Sequence, residues 1–535
     1  MKKREIKTKN EAQNLSKSAM ALVIFAMVGK VLGFVREQLK TNYFGAGIET
    51  DAFNASLRAT SLLSMIVTAA IANTFIPMIS RVRKEEGDDT VNYHSNNMLS
   101  LSIIAGAIMT LIGIVFSPII VKLVGGGFNE ETFSLTMKLT RMGMPVIIFS
   151  AILGVMTGIL QSKGYFGATG AIPIPLNAVY IIYLVGLSSK FGIEGLTIAS
   201  ILAVVAEVIF LYPETKRTGH KYFPVFNPKD KYVRHALALS APVLFSVAIN
   251  DFNIMINTRF ASSLQTGTVT WLNLSNQMNL LVLGIFVSAI TSIAFPILSK
   301  HFSEGNYAEG RKSMAFGVRL IMLITIPATI GLIVLSQPII EIAFLRGKFT
   351  QFDADQTAMS LKFYALSLTA LSLSNLLNRV YYSLQDTTTP LIISAISVVL
   401  NIIFNAIFIR FIGHRGIALG LSLATNISVF LSFLVLRKKI GHFYGYSYLR
   451  AFIKNAVAAL IMGVFCYISY FGIMKAIPAL DASTLTRLLI LMIVVFIAII
   501  IYGAISYLLG VGEIRMLIEV INQKLGRTKN KELSE

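Results

Sequence analysis

Cysteine is almost missing from this chain: Cys466 is the one thiol, and it lies within an apolar run. A disulfide needs two thiols and a thiolate metal site needs several, so neither can form within a single chain. Charge is scarce too. Asp, Glu, Lys and Arg make up 14% of the 535 residues, whereas a soluble domain carries about 25%. The charge that is present leans one way, 47 basic against 27 acidic residues, for a formal +20. That excess does not indicate nucleic acid, because the basic residues gather between apolar runs, as membrane topology and an anionic lipid surface require. The six histidines (94, 220, 235, 301, 414, 442) fall in loops or near run ends without ligand spacing, so no histidine metal site is expected. Gly125, Gly126 and Gly127 are followed by no Gly-Lys-Ser/Thr, which excludes a phosphate loop. No group of carboxylates and histidines stands together as a membrane-surface enzyme would need.

Apolar sequence is what the chain has in abundance: 55% of its residues are hydrophobic, with a mean hydropathy of +0.69. Fourteen apolar runs have the length of a membrane span, near 18–39, 52–79, 96–121, 134–160, 166–187, 192–212, 234–259, 268–298, 314–336, 356–383, 388–411, 415–436, 451–474 and 484–509. The fold class read from them is an all-α polytopic membrane protein. The basic start leads into a run too long for a cleavable signal and interrupted by Lys30. Lys2, Lys3, Arg4, Lys7, Lys9 and Lys17 precede the first run, and Lys216, Arg217, Lys221, Lys229, Lys231 and Arg234 separate the sixth from the seventh. Arg437, Lys438 and Lys439 follow the twelfth, and Lys524, Arg527, Lys529 and Lys531 form the tail. An even number of spans puts all these clusters on one side, so both termini are expected in the cytoplasm. Arg346 and Lys348 fall on the other side.

The chain also echoes itself. F-I-P-M-I-S-R (Phe75 to Arg81) returns 219 residues later as A-F-P-I-L-S-K (Ala294 to Lys300), and G-I-E-G-L (Gly192 to Leu196) returns after 221 as G-H-R-G-I (Gly413 to Ile417). Nearly equal offsets at equivalent places indicate two parallel six-helix repeats, the arrangement of transporters that alternate access to a central cavity. The expected domains are an N-terminal lobe at 1–212, a cytoplasmic linker at 213–233, a C-terminal lobe at 234–440, and two added spans with a basic tail at 441–535.

Ionisable side chains inside apolar runs are costly and face a bundle interior or a water-filled cavity. Lys30, Arg36, Glu37, Asp51 and Arg58 mark the first two runs this way. Arg36 and Glu37 also fit a helix end whose charges snorkel to the interface. Lys30 and Glu37, seven apart, share a helix face and are in register to pair, with Arg36 pointing about a third of a turn away. Surplus cations there suit an anionic head group such as a diphosphate. The seventh run carries Asn250, Asp251, Asn253, Asn257 and Arg259, the eleventh Asn401 and Asn405, and the twelfth Thr425. Such oxygens suit a hard cation, and they equally suit hydrogen bonds between membrane helices.

G-K-V-L-G-F-V-R-E, F-G-A-G-I-E-T-D-A-F, F-I-P-M-I-S-R, I-N-T-R-F-A-S-S-L-Q-T-G-T-V-T-W and F-P-I-L-S-K-H-F-S-E-G-N, with G-K-F-T-Q-F-D-A and S-L-Q-D-T-T-T-P, resemble the MurJ/MviN family of lipid II flippases. That family lies within the multidrug/oligosaccharidyl-lipid/polysaccharide exporter superfamily. The likeness covers about residues 1–440, and the last two spans match in hydropathy only. It implies a non-enzymatic flippase that moves a lipid-linked peptidoglycan precursor, lipid II, from the inner to the outer leaflet of the bacterial cytoplasmic membrane by alternating access. The implied partners are an undecaprenyl-diphosphate-linked substrate, anionic membrane lipids and cell-wall synthesis proteins. No cofactor is implied; a sodium ion or the membrane potential would drive the cycle. By resemblance, Lys30 takes the place of a family arginine, Arg36 and Glu37 match an Arg-acid pair, Asp51 matches the Asp of T-D-A-F, and Arg58 matches a basic position. These five are the expected substrate-binding residues. Asp251, Asn401, Asn405 and Thr425 fall near positions implicated in a sodium site in some members, with Asn405 standing where some carry Asp. Ser64 and Gln277 depart from two family arginines, which thins the charge available for a diphosphate. In the family the final two helices form a groove for the polyprenyl tail. A flippase for another undecaprenyl-linked oligosaccharide, a drug exporter of the same fold, and a non-transporting membrane enzyme or scaffold are the alternative readings.

Overall fold

The computed structural model describes residues 25–516 except 26, 285–287, 442–443 and 477–482. Residues 18–24 of the first expected span, the basic start and the basic tail beyond 516 therefore lie outside the described residues, as does the side chain of Asn250. The described residues are helical with no strand, as hydrocarbon demands of backbone that must satisfy its own hydrogen bonds. Along the chain come α1 (27–44), α2 (Ile48–Glu86), α3 (Val91–Val115), α4 (Ser117–Gly125), α5 (Glu130–Gly143), α6 (Val146–Ser162), α7 (Phe166–Gly170), α8 (Pro173–Gly186), α9 (Ser188–Arg217) and α10 (Lys231–Ala261). They continue with α11 (Thr268–Val282), α12 (Ser288–Ser303), α13 (Tyr307–Val334), α14 (Ser336–Phe344), α15 (Gln351–Ala365), α16 (Leu368–Ser383), α17 (Thr388–Ile412), α18 (Arg415–Ile440), α19 (Gly445–Ala476) and α20 (Thr484–Leu508).

The described residues of each of the fourteen apolar runs fall on a helix or on two consecutive helices. Among the described residues nine helical segments are long and apolar enough to cross a membrane, and the α5–α6 pair, bent by 44°, makes ten if taken as one span. α15 and α16, with 15 and 16 residues, are each short of a membrane thickness alone, and the run at 268–298 is described as α11 and α12 on either side of residues 285–287. α1 carries Lys30, Arg36, Glu37 and Lys40 within its length.

Two compact units divide the described chain. One holds the residues up to Thr270 with Arg346–Thr350; the other holds Trp271–Leu345 and the residues from Gln351 on. In the first, α2 is the central element and packs on α5, α6 and α10. Its apolar face supplies Val67, Ile71, Phe75, Met78 and Ile79 to a core completed by Ile147, Ala151 and Val155 of α6. α1 lies against α8 closely enough that a Cβ on Gly29 would stand 2.6 Å from the Pro173 Cβ, so a small residue is needed at this crossing. The short segment Arg346–Thr350 joins this unit through paired turns: Lys348 N–H donates to the Asn42 carbonyl at 3.0 Å, and Gly45 and Gly347 both have left-handed φ, 69° and 57°.

Where α2, α3 and α10 meet the 218–230 segment, polar side chains tie the chain down. Asp230 caps α10 by accepting from Tyr232 N at 2.9 Å. Its other oxygen lies 2.7 Å from His94 Nδ1 and accepts from Asn97 Nδ2 at 3.0 Å. Burial raises the Asp230 carboxyl, but these bonds outweigh it and hold the group below its ordinary range. Asn97 also donates to the Asn227 carbonyl at 2.9 Å.

In the second unit α13 meets α12, α16 and α19, and α19 meets α20. Buried hydroxyls pin these contacts. Tyr381 donates to the Ser432 carbonyl at 2.7 Å, and Tyr502 donates to the Leu323 carbonyl at 2.8 Å. The two spans beyond the repeats thus share one core with α13. The opposite face of α20 leaves Met492, Ile493, Phe496, Ile499 and Ile500 exposed, as a lipid-facing helix does. The sequence echo has a backbone counterpart. Gly192, near the start of α9, and Gly413, just before α18, share an unusual conformation, with φ 56° and ψ −152° against φ 60° and ψ −137°.

Candidate functional site

The first unit gathers ionisable residues at one place. α1 presents Arg36, Glu37 and Lys40 within five residues, and α2 presents Asp51, Asn54 and Arg58 on successive turns. Glu37 lies 2.5 Å from Lys40 Nζ and 3.2 Å from Arg36 Nη2. Lys40 donates onward to Asn54 Oδ1 at 3.1 Å, and Asn54 Nδ2 donates to Thr270 Oγ1 at 3.2 Å. Thr270 Oγ1 donates to Asp51 Oδ1 at 2.6 Å. One polar chain therefore runs from Arg36 to Asp51, with Glu37, Lys40, Asn54 and Asp51 all buried.

The pairing of Lys30 with Glu37 is corrected. Glu37 takes Lys40 and Arg36 instead. Seven residues along a helix span about 10.5 Å of axis and three about 4.5 Å, so Lys40 reaches the carboxylate without stretching. Lys40 was missed in reading the sequence, although Glu37 and Lys40 are an i, i+3 pair of opposite charge, which is a legible signal. Lys30 is half-buried one to two turns before this group on α1.

Asp51 is 1% exposed and its oxygens are engaged. Besides Thr270 Oγ1 it accepts from Gly267 N at 2.7 Å and Thr270 N at 2.9 Å, tying the start of α2 to the turn that begins α11. The charge of Arg58 is attracted to the carboxylates of Asp251 and, next, Glu37. Asp251 belongs to this unit, whereas Asn401, Asn405 and Thr425 belong to the other. There, Asn401 and Asn405 are fully buried on α17, and Asn405 Nδ2 donates to Asn401 Oδ1 at 3.2 Å. Asn405 Oδ1 lies 2.3 Å from where a Cβ on Gly420 would stand, so α18 comes in close here. Thr425 Oγ1 donates to the Leu421 carbonyl of its own helix at 2.7 Å.

A cavity of about 610 Å³ opens within the first unit. Ser61, Ser64 and Thr68 line it from one face of α2, Tyr180 from α8, Thr197 and Ser200 from α9, and Asp251 from α10. The Arg36 guanidinium stacks over the Tyr180 ring, 5.0 Å from its centroid, an attraction of roughly 0.5–2 kcal/mol. Its side chain keeps 26% exposure, whereas that of Lys40 keeps 4%. The two cations on Glu37 thus differ in what they offer: Lys40 is sealed in, and Arg36 retains an open side. Ser64 lines the cavity with a neutral hydroxyl.

The family model for the lipid II flippase MurJ matches residues 40–479 of this chain. The chain belongs to the lipid II flippase MurJ family. It is a multi-pass membrane protein. Among curated members of that family, it is similar to the probable lipid II flippase MurJ of Buchnera aphidicola, 29% identical over 85% of this chain and 90% of that one. The probable lipid II flippase MurJ of Vibrio cholerae is 30% identical over 79% of this chain and 82% of its own length. Its fold is that of a solved lipid II flippase MurJ in an inward closed conformation, with TM-score 0.75, 22% identity, and coverage of 95% of this chain and 100% of that chain.

Proposed function

We infer that this chain is a flippase that carries lipid II from the inner to the outer leaflet of the bacterial cytoplasmic membrane during peptidoglycan synthesis. The family match across residues 40–479 carries this reading. The site supports it chemically. A diphosphate needs hydrogen-bond donors with positive charge that can also let go, because an alternating-access carrier must release its cargo and reset. Arg36 meets that need, since its planar fork can grip two phosphate oxygens at once, and Glu37 and Tyr180 hold it in place. Lys40 neutralises the other side of Glu37, so the carboxylate does not absorb the whole guanidinium charge. Arg58 adds a second cation, tempered by Asp251. In this reading the undecaprenyl tail stays in the lipid while the head group crosses through the cavity, and sodium or the membrane potential drives the cycle.

Depletion of the protein in cells without another flippase should leave lipid II trapped on the inner leaflet. Unchanged outward movement of lipid II would refute the reading. Accumulation of a different undecaprenyl-linked oligosaccharide would favour the second one, to which the neutral Ser64 and Gln277 point. We further propose that both termini and the 213–233 segment face the cytoplasm. With Cys466→Ser as background, a cysteine placed at residue 225 should resist an impermeant thiol reagent added outside intact cells; labelling would reverse the orientation.

A further inference from the structure

Glu207 has no part in the site described above, yet it is a carboxyl group in the middle of an apolar helix. On α9 it is 4% exposed, and Ala203 and Leu211, one turn to either side, are fully buried. Its neighbour Val208 packs with Met156 and Leu160 of α6 in an apolar cluster. Other carboxylates placed here have donors or a facing cation: Glu37 has Arg36 and Lys40, Asp51 has Gly267 and Thr270, Asp251 has Arg58. For Glu207 no ion pair or hydrogen bond is made with any described residue, and no charged side chain offsets its burial.

The elements packed on α9 confirm its isolation. α6 and α7 contain no titratable side chain. On α5, Lys138 pairs with Glu194 at 2.5 Å and Arg141 donates to Ser117 Oγ at 2.7 Å. On α2, the charge of Arg58 is attracted to Asp251 and, next, Glu37. On α8, the Tyr183 hydroxyl donates to the Gly192 carbonyl at 2.6 Å, which leaves Tyr180 as the titratable group within electrostatic reach of Glu207.

An unpaired carboxylate in a low-dielectric interior costs several kcal/mol, and such a group neutralises instead of staying charged. Two neutralising ligands are available in principle, a metal cation or a proton. A hard cation collects several oxygens around itself. The hydroxyl nearest along the helix face, Ser200, donates to its own helix at Thr197 O, 2.6 Å away, and among the described residues no three carboxylates, imidazoles or thiols gather to hold a metal ion. A proton needs a single carboxylate oxygen.

We propose that Glu207 is a proton-binding site of the first unit, loaded in this conformation and linked to the substrate cavity through Tyr180. Tyr180 lines the cavity and carries the Arg36 guanidinium on its ring; it feels the charge of a Glu207 carboxylate, and Val204, one turn before Glu207 on α9, lines the same cavity. Loading adds one proton from water to one carboxylate oxygen; release breaks that O–H bond and returns the proton to water, with no other bond changed. The link to substrate rests on the flippase reading; the proton site does not.

Infrared spectroscopy of the purified full chain in lipid nanodiscs tests the site. A protonated-carboxyl carbonyl band, shifted by deuterium oxide, should be present at neutral pH, lost in Glu207→Gln and retained at a shifted position in Glu207→Asp. If Glu207→Gln leaves the wild-type spectrum unchanged, Glu207 is ionised and the site is overturned. It is overturned equally if sodium chloride, but not choline chloride, converts a Glu207-dependent carboxylate signal. Lipid II flipping in proteoliposomes then tests the link: its pH dependence should be present in the wild type and lost in Glu207→Gln, and identical profiles would sink the link. A wild-type chain that flips no lipid II would overturn the flippase reading and the link together, leaving the band to decide the proton site.

Discussion

Lys40→Met is the perturbation that best tests the polar chain from Arg36 to Asp51. Lys40 and Glu37 are both buried, with side chains 4% and 7% exposed and 2.5 Å apart. Removing one partner of such a pair leaves an uncompensated charge, and comparable losses run to about 3–5 kcal/mol. Arg36 remains 3.2 Å from Glu37 and keeps part of the compensation, which places the expected loss near the low end, about 3 kcal/mol. Methionine fills a similar volume, so little of this loss comes from a cavity. The loss should appear as a lowered unfolding midpoint in detergent. Glu37→Gln on top of Lys40→Met removes the stranded charge and should recover about 1–3 kcal/mol as a coupling between neighbours. Flipping should fall in Lys40→Met beyond what stability explains, because Arg36 becomes the sole hydrogen-bonded counter-ion of Glu37 and has less charge to offer a head group. If Lys40→Met unfolds within about 0.5 kcal/mol of wild type, the level of an indifferent surface change, Lys40 is neither compensating Glu37 nor holding α1 to α2 through Asn54, and the account of Arg36 fails with it.

Arg36→Ala should abolish flipping at normal membrane levels, and Arg36→Lys should restore part of it, since an ammonium lacks the planar fork; normal flipping by Arg36→Ala would reduce Arg36 to an anchor. Gly347→Ala should destabilise the protein by at least about 1–2 kcal/mol from the left-handed backbone alone, and more because the new Cβ would meet the Asn42 carbonyl at 2.3 Å; an unfolding midpoint equal to wild type would contradict this. For Asp386, burial acts upward but the Lys439 ammonium and the Thr389 bonds win, bringing the carboxyl down to about 2. Its lowered value means that its stabilising effect is complete above the unfolded carboxyl's range, near pH 4, and fades as pH falls toward 2. Asp386→Asn should therefore be less stable than wild type at pH 7 and equal to it in strong acid; a difference that persists unchanged in acid would show that charge is not the cause.

The apolar runs determined the helices by themselves, because hydrocarbon leaves the backbone no other way to satisfy its hydrogen bonds. Periodicity and length are local properties, and so are the motifs that mark Arg36, Glu37 and Asp51. The two echoed glycines were legible as well, since a sharp backbone turn before a span calls for the residue that tolerates φ near 56° and 60°. Tertiary structure alone decided who pairs with whom. That Glu37 chooses Lys40 over Lys30 follows from helix rise, but that Lys40 then reaches Asn54 of α2, and Asn54 reaches Thr270, depends on chain segments up to 216 residues apart meeting. Asp51 reads in sequence as a charge available to substrate; packing instead brings Gly267 and Thr270 to its oxygens. Glu207 passed without notice within an apolar run, since a carboxyl's isolation is a property of everything around it and of nothing in its own sequence neighbourhood.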